Sequence, residues 1–214
     1  MTRLGILLSG RGSNFLAIHA AIERGEVPAE IAVVLSNVAG AKGLDRAREL
    51  GLRAEEIPHH GEPGRRAHEE KVLAVLRGAG VDWVCLAGYM RLLSPEFVAA
   101  WPRRILNIHP SLLPAFPGLD AQEQALAHGV KVSGCTVHLV DAGLDSGPIV
   151  VQRTVPVLDG DTPATLAARI LEQEHQAYPE ALRRLLTEPW DVEGRRLCFA
   201  PLSRSRESGR GHRR

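Results

Sequence analysis

Residues 4–24, LGILLSGRGSNFLAIHAAIER, contain an apolar run, a glycine-containing turn and a helical pattern in that order. The run Leu4–Leu8 is typical of a buried strand, and the apolar residues after the turn recur at the three- and four-residue spacing of a helix from Asn14 to Arg24. Glycines in such a turn let backbone N–H groups face a ligand at the start of the helix, which is a general site for anions. The turn therefore indicates either a phosphate-binding loop or a simple strand-to-helix connection in which Ser13 is the N-cap.

The first half of the chain repeats this alternation of strand and helix. Further apolar runs predict strands, and the stretches between them predict helices. The alternation predicts an α/β fold, with a Rossmann-like, mostly parallel sheet and helices on both faces. The predicted strands are Ile31–Leu35, Trp83–Ala87 and Ile105–His109, and the predicted helices are Ala41–Leu50 and Arg65–Arg77.

The second half departs from the alternation, because two predicted strands, Val132–Val140 and Ile149–Val155, follow each other without a helix between them. Such a pair is expected to extend the sheet in antiparallel fashion. The dipeptide Thr162-Pro163 matches an N-cap followed by a first helical proline, so a long helix is predicted from there to about Thr187. A last short strand is predicted at Leu197–Ala200.

The 214-residue chain is predicted to form one domain over residues 1–202, followed by a tail at residues 203–214. The tail contains five Arg and no apolar residue, a composition typical of a disordered segment. Apolar residues make up 44% and charged residues 24% of the chain, as in a globular protein. The net charge of +1 argues against a nucleic-acid partner, which would require a basic excess to neutralise phosphates.

The sequence indicates neither a membrane span nor a metal site. No apolar run approaches the ~20 residues that a membrane-spanning helix needs, and the first residues are too short for the apolar region of a secretion signal. The three cysteines, Cys85, Cys135 and Cys198, lack the CxxC spacing of a zinc site and do not suggest a disulfide framework. We therefore expect a cytoplasmic protein with no membrane partner.

A polar pair interrupts the apolar strand at residues 105–109. Strand side chains alternate between two faces, so Asn107 and His109 point to the same face. Pro110 ends the strand and so places the pair at its carboxyl end, where open parallel sheets bind ligands. An isolated histidine is more often structural, but the pair at this position indicates catalysis. His138, in the next predicted strand, is a weaker catalytic candidate.

Three carboxylates are further candidates. Asp141 and Asp145 lie in the connection between the two antiparallel strands, where Asp and Gly are also expected simply to form a hairpin loop. Glu174 falls inside the apolar stripe of the long helix, four residues after Ile170. Buried carboxylates are almost never unpaired, so Glu174 is expected either to pair with an arginine or to face a ligand pocket.

Six segments, taken together and in order, resemble the phosphoribosylglycinamide formyltransferase family, folate-dependent enzymes of purine synthesis. The string NIHPSLLP at residues 107–114 is specific to folate formyltransferases as a group. The Gly12-Ser13-Asn14 turn and the Glu174-His175 pair favour the glycinamide ribonucleotide member. One departure is Ala115, where some members carry Lys after the same proline. The other matching segments are Ser9–Asn14, Leu86–Ser94, Gly134–His138, Leu144–Pro148 and Gln173–His175.

This resemblance implies that the chain transfers a formyl group from 10-formyltetrahydrofolate to the amine of glycinamide ribonucleotide. In that reaction Asn107 would donate a hydrogen bond to the oxygen on which negative charge develops. His109 would donate to the same oxygen or carry protons, and Asp145 would favour and orient its protonated form. No metal cofactor is expected, since the leaving group is already activated.

The resemblance also implies where the two small-molecule substrates bind. The phosphate would lie on Gly12, Ser13 and Asn14, and Glu174 would contact the ribose or the glycinamide. The chain would act as a monomer or a homodimer. The residues implied for 10-formyltetrahydrofolate are Arg65, Met90, Arg91, Leu92, Leu93, Asn107, Val140, Asp141 and Asp145.

Three alternative functions share this type of fold. Methionyl-tRNA formyltransferase would need a further C-terminal domain, and we expect none after the long helix. Formyltetrahydrofolate hydrolase would need an N-terminal regulatory domain, whereas the first strand is predicted near the start of the chain. A non-catalytic nucleotide-binding or sensor module would not need Asn107, His109 and Asp145 together. We therefore expect the glycinamide ribonucleotide activity.

Overall fold

The structure, a computed structural model, describes residues 1–60 and 64–200. Within these residues nine strands form one sheet that carries helices on both faces. The strands are β1 (Thr2–Leu8), β2 (Ala29–Ser36), β3 (Ala54–Glu56), β4 (Trp83–Leu86), β5 (Ile105–His109), β6 (Val132–Leu139), β7 (Ile149–Pro156), β8 (Trp190–Glu193) and β9 (Arg196–Phe199). The helices are α1 (Ser13–Glu23), α2 (Lys42–Glu49), α3 (Arg65–Gly78), α4 (Pro95–Ala100), α5 (Ala121–Ala127) and α6 (Pro163–Thr187).

The strand order is β3-β2-β1-β4-β5-β6-β7-β9-β8. The strands from β3 to β5 pair in parallel, and the pairing becomes antiparallel at β5–β6 and β6–β7. The predicted α/β fold, with a parallel first half and an antiparallel extension, is therefore confirmed. The change of direction occurs beside β5, the strand that carries the predicted Asn-His pair.

Two apolar clusters cover the two faces of the sheet. One includes Phe15 of α1 and Tyr178 of α6, and the other includes Leu76 of α3 and Phe97 of α4. The fully buried Tyr178 hydroxyl lies 2.9 Å from the Leu106 carbonyl oxygen and 3.1 Å from that of Leu86. This contact fixes the middle of α6 against β4 and β5, close to the candidate residues of β5.

The two predicted N-caps have different outcomes. At α6, the Thr162 hydroxyl accepts a 3.3 Å hydrogen bond from the Thr165 N–H and Pro163 is the first helical residue, which confirms the prediction. At α1, the prediction of Ser13 as N-cap is wrong, because Ser13 is the first helical residue and Gly12 is the cap. Gly12 has a φ of 73°, a left-handed conformation that glycine adopts at low cost. No side chain caps α1, so its first N–H groups stay available to a ligand.

Four short elements were not predicted: β3, α4, α5 and β8. Each spans between three and seven residues, too few for a period of two or 3.6 to stand out. The predicted ends of the other elements differ from the observed ones by at most about two residues, as helix and strand ends usually do. The predicted tail at residues 203–214 lies outside the described residues. In the described part of the chain, no helix combines the length and apolar character needed to cross a membrane.

Candidate active site

Asn107 and His109 lie at the carboxyl end of β5, as the sequence predicted. Asn107 pairs with Leu86 of β4 on one side and with His138 of β6 on the other. His109 is 5% exposed, and its Nε2 lies 2.8 Å from the Phe116 carbonyl oxygen. A carbonyl oxygen only accepts, so Nε2 carries the proton in this contact.

Asp145 lies in the loop between β6 and β7 and faces both histidines. Its Oδ2 is 3.4 Å from Nδ1 of His109, and its Oδ1 is 3.6 Å from Nε2 of His138. The Gly118 N–H donates a 2.9 Å hydrogen bond to Oδ2. Asp145 has a φ of 47°, a conformation in which Asp and Asn are enriched among non-glycine residues. The three residues predicted to be catalytic are therefore brought together.

The loop can return so closely to β6 because residue 147 is glycine. A Cβ at Gly147 would lie 1.8 Å from the Leu139 carbonyl oxygen, a distance that no side chain tolerates. The register of β6 against β7 also shifts between Val137 and His138. This irregularity and the glycine place the Asp145 carboxylate over the end of β5.

His138 is more central than the sequence suggested. Its Nδ1 donates to the Leu139 carbonyl oxygen at 3.0 Å, so Nε2 is the nitrogen that faces the site. Nε2 lies 3.2 Å from Nδ2 of Asn107 and 3.6 Å from Asp145. His138 therefore connects the amide of Asn107 to the Asp145 carboxylate. Its position directly opposite Asn107 depends on the β5–β6 register, which the sequence alone did not give.

The electrostatic environment keeps Asp145 ionised. Burial raises the pKa of the carboxyl, but the His138 side chain and the Gly118 N–H, which both contact it, lower the pKa, as do the charges that His109 and His138 can carry. The net result is a pKa below the ordinary carboxyl value. Both ring nitrogens of His109 face oxygen atoms that can only accept, since the Phe116 carbonyl oxygen faces Nε2 and the Asp145 carboxylate faces Nδ1.

An apolar pocket opens beside Asp145. Its side chains Met90, Leu92, Leu119 and Leu144 are each more than half exposed, an unusual concentration of exposed apolar surface. Such a surface fits a planar aromatic ligand. The full lining is Tyr89, Met90, Arg91, Leu92, Gly118, Leu119, Leu144 and Asp145.

Five of the residues implied for 10-formyltetrahydrofolate do not line this pocket. One is Asn107, which lies at the end of β5. Leu93 and Val140 pack against the apolar cluster on the α3–α4 face of the sheet. The Asp141 carboxylate accepts hydrogen bonds from the Gly143 N–H (3.0 Å) and the Ser146 hydroxyl (2.7 Å), which is the hairpin-loop role. Arg65 lines a separate pocket at the start of α3, together with Glu69 and Ser94.

The predicted anion-binding turn forms a second pocket next to the first. Residues 9–14 line it together with Ala87, Gly88 and Met90, and Met90 also lines the apolar pocket. The Ser9 hydroxyl accepts a 2.8 Å hydrogen bond from the Met90 N–H and so joins the two walls. The two implied substrate sites are therefore adjacent.

Glu174 is buried, at 7% exposure, and its partner is an amide. Nδ2 of Asn14 donates a 2.7 Å hydrogen bond to its Oε2, so of the two expectations the pairing with an arginine is not observed. Asn14 lines the anion pocket, which links Glu174 to that pocket. Burial raises the pKa of Glu174, and the Asn14 hydrogen bond offsets this only in part.

A buried hydroxyl that sequence reasoning missed supports the loop over His109. The Thr136 hydroxyl donates to the Ser111 carbonyl oxygen (2.7 Å) and accepts from the Leu113 N–H (3.0 Å). The same loop continues to Phe116 and Gly118, the partners of His109 and Asp145. Thr136 lies two residues before His138 on the same face of β6, which is the signal that could have identified it.

No group of three or more His, Cys, Asp or Glu side chains in residues 1–60 and 64–200 is arranged to hold a metal ion.

A family model described as "Formyl transferase" matches residues 2–182.

Curated proteins and solved structures are similar over most of the chain. The chain is 49% identical over 185 residues to the trifunctional purine biosynthetic protein adenosine-3 of Drosophila pseudoobscura pseudoobscura, and spans only 14% of that relative's length. It is 40% identical over 190 residues to phosphoribosylglycinamide formyltransferase of Escherichia coli (strain K12), covering 89% of this chain and 87% of that protein. The crystal structure of glycinamide ribonucleotide transformylase 1 from Symbiobacterium toebii superposes with a TM-score of 0.91 at 52% identity, over 94% of this chain and 95% of the other.

Proposed function

Because the chain belongs to the formyl transferase family, we propose that it transfers the formyl group of 10-formyltetrahydrofolate to the amine of glycinamide ribonucleotide. This reaction forms the N-formyl product in de novo purine biosynthesis. The observation that carries the proposal is the cluster of Asn107, His109 and Asp145 beside two adjoining pockets. One pocket is apolar and suits a pterin, and the other presents the start of a helix to an anion.

Asn107 stabilises the charge that develops on the formyl oxygen when the amine attacks. Its Nδ2 carries two N–H groups, one of which is directed at Nε2 of His138. The second N–H has no partner within the described residues, so it can donate to the substrate. A well-placed donor of this kind is worth ~3–4 kcal/mol in the transition state.

His109 donates its Nε2 proton to the same oxygen or to the leaving nitrogen, and Nε2 then accepts the proton that the attacking amine loses. Asp145 holds Nδ1, so Nε2 is the nitrogen that works on the substrate. In doing so Nε2 exchanges its contact with the Phe116 carbonyl oxygen for one with the substrate. Asp145 stays ionised and stabilises the positive charge on the ring.

The two substrates occupy the two pockets. The phosphate of the ribonucleotide lies on Gly12, Ser13 and Asn14, and Glu174 accepts from the ribose or the glycinamide. The pterin lies against Met90, Arg91 and Leu92. The roles of Leu93, Val140, Asp141 and Arg65 rest on the resemblance, with Arg65 at the formyl side of the folate or its acidic tail.

The cellular setting follows from this reaction. We place the activity in the cytoplasm, with small-molecule substrates only and no metal cofactor. A chelator should therefore leave turnover unchanged, and sizing in solution would distinguish a monomer from a homodimer.

A spectrophotometric assay with 10-formyltetrahydrofolate and three acceptors tests the function. We expect turnover with glycinamide ribonucleotide and none with water or with methionyl-tRNA. Asp159→Asn, which removes an exposed carboxylate next to Lys131, is the control variant and should keep full activity. Release of formate without the ribonucleotide would instead assign a hydrolase.

A further inference from the structure

Two cations flank the anion-binding turn, and the roles described so far use neither. Arg11 is exposed and lines the pocket formed by residues 9–14. Lys42 is exposed and is the first residue of α2. The Gly43 N–H donates a 2.9 Å hydrogen bond to the Gly10 carbonyl oxygen, so the start of α2 lies directly against the turn. The start of α1 therefore lies at this pocket and the start of α2 lies against the turn that forms it, each next to a cation.

This placement is electrostatically unfavourable in the absence of a ligand. The N-terminal end of a helix carries partial positive charge and favours anions over cations. The first turn of α1 contains no acidic residue, and Asp45, the only one in the first turn of α2, pairs with Arg48 at 2.9 Å. Among residues 1–60 and 64–200, no carboxylate forms an ion pair with Arg11 or Lys42. A bound anion would be attracted to both cations and to both helix ends, which offsets this repulsion.

A second observation points to a ligand in the same pocket. Oδ1 of Asn14 has no hydrogen-bond partner within the described residues, although Asn14 is only 7% exposed. Its Nδ2 is occupied by Glu174, so Oδ1 is an acceptor without a donor. Buried polar atoms without partners are rare and often mark an absent ligand or water. The pocket therefore favours a ligand that carries negative charge and that also has a hydrogen-bond donor for Oδ1 of Asn14, such as a sugar hydroxyl.

We propose that Arg11 and Lys42 bind the phosphate of the acceptor substrate and make the enzyme selective for the phosphorylated acceptor. This inference rests on the proposed function. A phosphate monoester carries between −1.5 and −2 charges at pH 7. The backbone N–H groups of the turn supply only partial charge, whereas the Arg11 guanidinium supplies a planar pair of donors and Lys42 a second full charge. The two side chains therefore supply the positive charge that neutralises a phosphate dianion.

Neutralising each cation separately tests selectivity. In Arg11→Gln and in Lys42→Gln, kcat/KM for glycinamide ribonucleotide should fall about ten-fold, near the low end for a lost charged hydrogen bond. With glycinamide riboside, which lacks the phosphate, kcat/KM should not change, and neither should KM for 10-formyltetrahydrofolate. Lys131→Gln, which removes an exposed cation paired with Asp159 at 3.0 Å, is the matched control and should leave both acceptors unaffected. Equal losses with both acceptors, or no loss with the ribonucleotide, would overturn the proposal.

Thermal unfolding with ribose 5-phosphate gives a readout that needs no turnover. Without ligand, Arg11→Gln and Lys42→Gln should melt at the temperature of the unsubstituted protein or above it, because each removes a cation from a positive helix end. With saturating ribose 5-phosphate the order should reverse, since the unsubstituted protein binds the phosphate more tightly and is stabilised more. A loss of Tm that is the same with and without ligand would show a merely structural role and overturn the proposal.

The two measurements distinguish this proposal from the proposed function. If formyl transfer to the ribonucleotide is absent but ribose 5-phosphate still stabilises the protein in an Arg11-dependent way, the acceptor is wrong and the phosphate site stands. If formyl transfer occurs and the preference for the phosphorylated acceptor survives both substitutions, the function stands and the role of the two cations is wrong.

Discussion

The side-chain amide of Asn14 donates a 2.7 Å hydrogen bond to the carboxylate of Glu174, which joins the first turn of α1 to the middle of α6. The two residues are 160 positions apart in the chain. The anion pocket is therefore built by the packing of two helices as well as by the turn itself. Because Glu174 is buried within an otherwise apolar stripe, its protonation and its binding role are coupled.

Replacing Glu174 by Gln should weaken binding of the ribonucleotide and leave folate binding unchanged. Gln keeps the size and can still accept from Asn14, so only the charge and one acceptor oxygen are lost. We expect KM for glycinamide ribonucleotide to rise about ten-fold, in line with a lost charged hydrogen bond. Glu172→Gln, an exposed change two residues earlier in α6, is the control. A rise in KM for 10-formyltetrahydrofolate alone would reverse the assignment of the two pockets.

The same substitution should change how stability depends on pH. The pKa of Glu174 is raised in the folded protein, so protonated Glu174 adds to the free energy of unfolding at low pH. That contribution is lost as pH rises from the ordinary carboxyl range through the raised pKa. Glu174→Gln removes the titration, so the variant should be at least as stable as the unsubstituted protein at pH 8. Urea unfolding at pH 4.5 and pH 8 measures this, and a large destabilisation at pH 8 would contradict it.

His138 is expected to act through its neighbours rather than on the substrate. It contacts Asn107 at 3.2 Å and Asp145 at 3.6 Å, so its loss should misalign both. We expect His138→Asn to lower kcat by ~10-fold with little change in either KM, below the range typical of a direct acid–base group. The double variant with Asp145→Asn should be hardly slower than Asp145→Asn alone, because residues that act as a unit are not additive. Fully additive losses would show that His138 acts independently.

Thr136→Val should destabilise the loop that contacts His109. Val has nearly the same shape as Thr but leaves the Leu113 N–H without its 3.0 Å partner. An unsatisfied buried donor costs ~1–3 kcal/mol, which chemical denaturation can measure. Thr154→Val, at an exposed position of the neighbouring strand β7, should stay within ~0.5 kcal/mol. Equal effects at the two positions would argue against a supporting role for Thr136.

A residue of the site could be predicted where its sequence signal lies within a single strand or helix. Asn107 and His109 were predictable because two polar residues break an apolar strand at alternate positions, and the geometry of a strand then places them together. Glu174 was predictable as a special position because it interrupts an apolar helical stripe. In both cases the polar residue is recognisable because it interrupts the regular spacing of apolar residues along a strand or a helix.

The partners of these residues were not predictable, because they depend on long-range register. The carbonyl group of Phe116 and the N–H of Gly118 belong to the backbone and have no sequence signature. An arginine was a reasonable expectation for Glu174, because buried carboxylates usually pair with cations. The structure instead combines an amide partner with a raised pKa, which lowers the cost of burial without a cation.

Asp145→Asn is the sharpest test of the catalytic cluster. Asn has the same size and also tolerates the left-handed backbone of this position, so the loop should keep its shape. The charge that faces His109 and His138 is lost, and we expect kcat to fall by at least ~10²-fold, the lower range for losing acid–base assistance. Both KM values should change little, since the lost interaction is realised mainly in the transition state.

The pH dependence of this variant is set by the lowered pKa of Asp145. The carboxylate is ionised throughout pH 5 to 9, so the loss in kcat should persist across that range. A carboxyl group whose pKa is lower in the folded protein than in the unfolded chain stabilises the fold at pH values above the unfolded pKa. This stabilisation disappears as pH falls through the folded pKa. The difference in free energy of unfolding between the two proteins should therefore vanish only at strongly acid pH. A near-normal kcat at neutral pH would remove Asp145 from the mechanism and leave it as a residue of the hairpin loop.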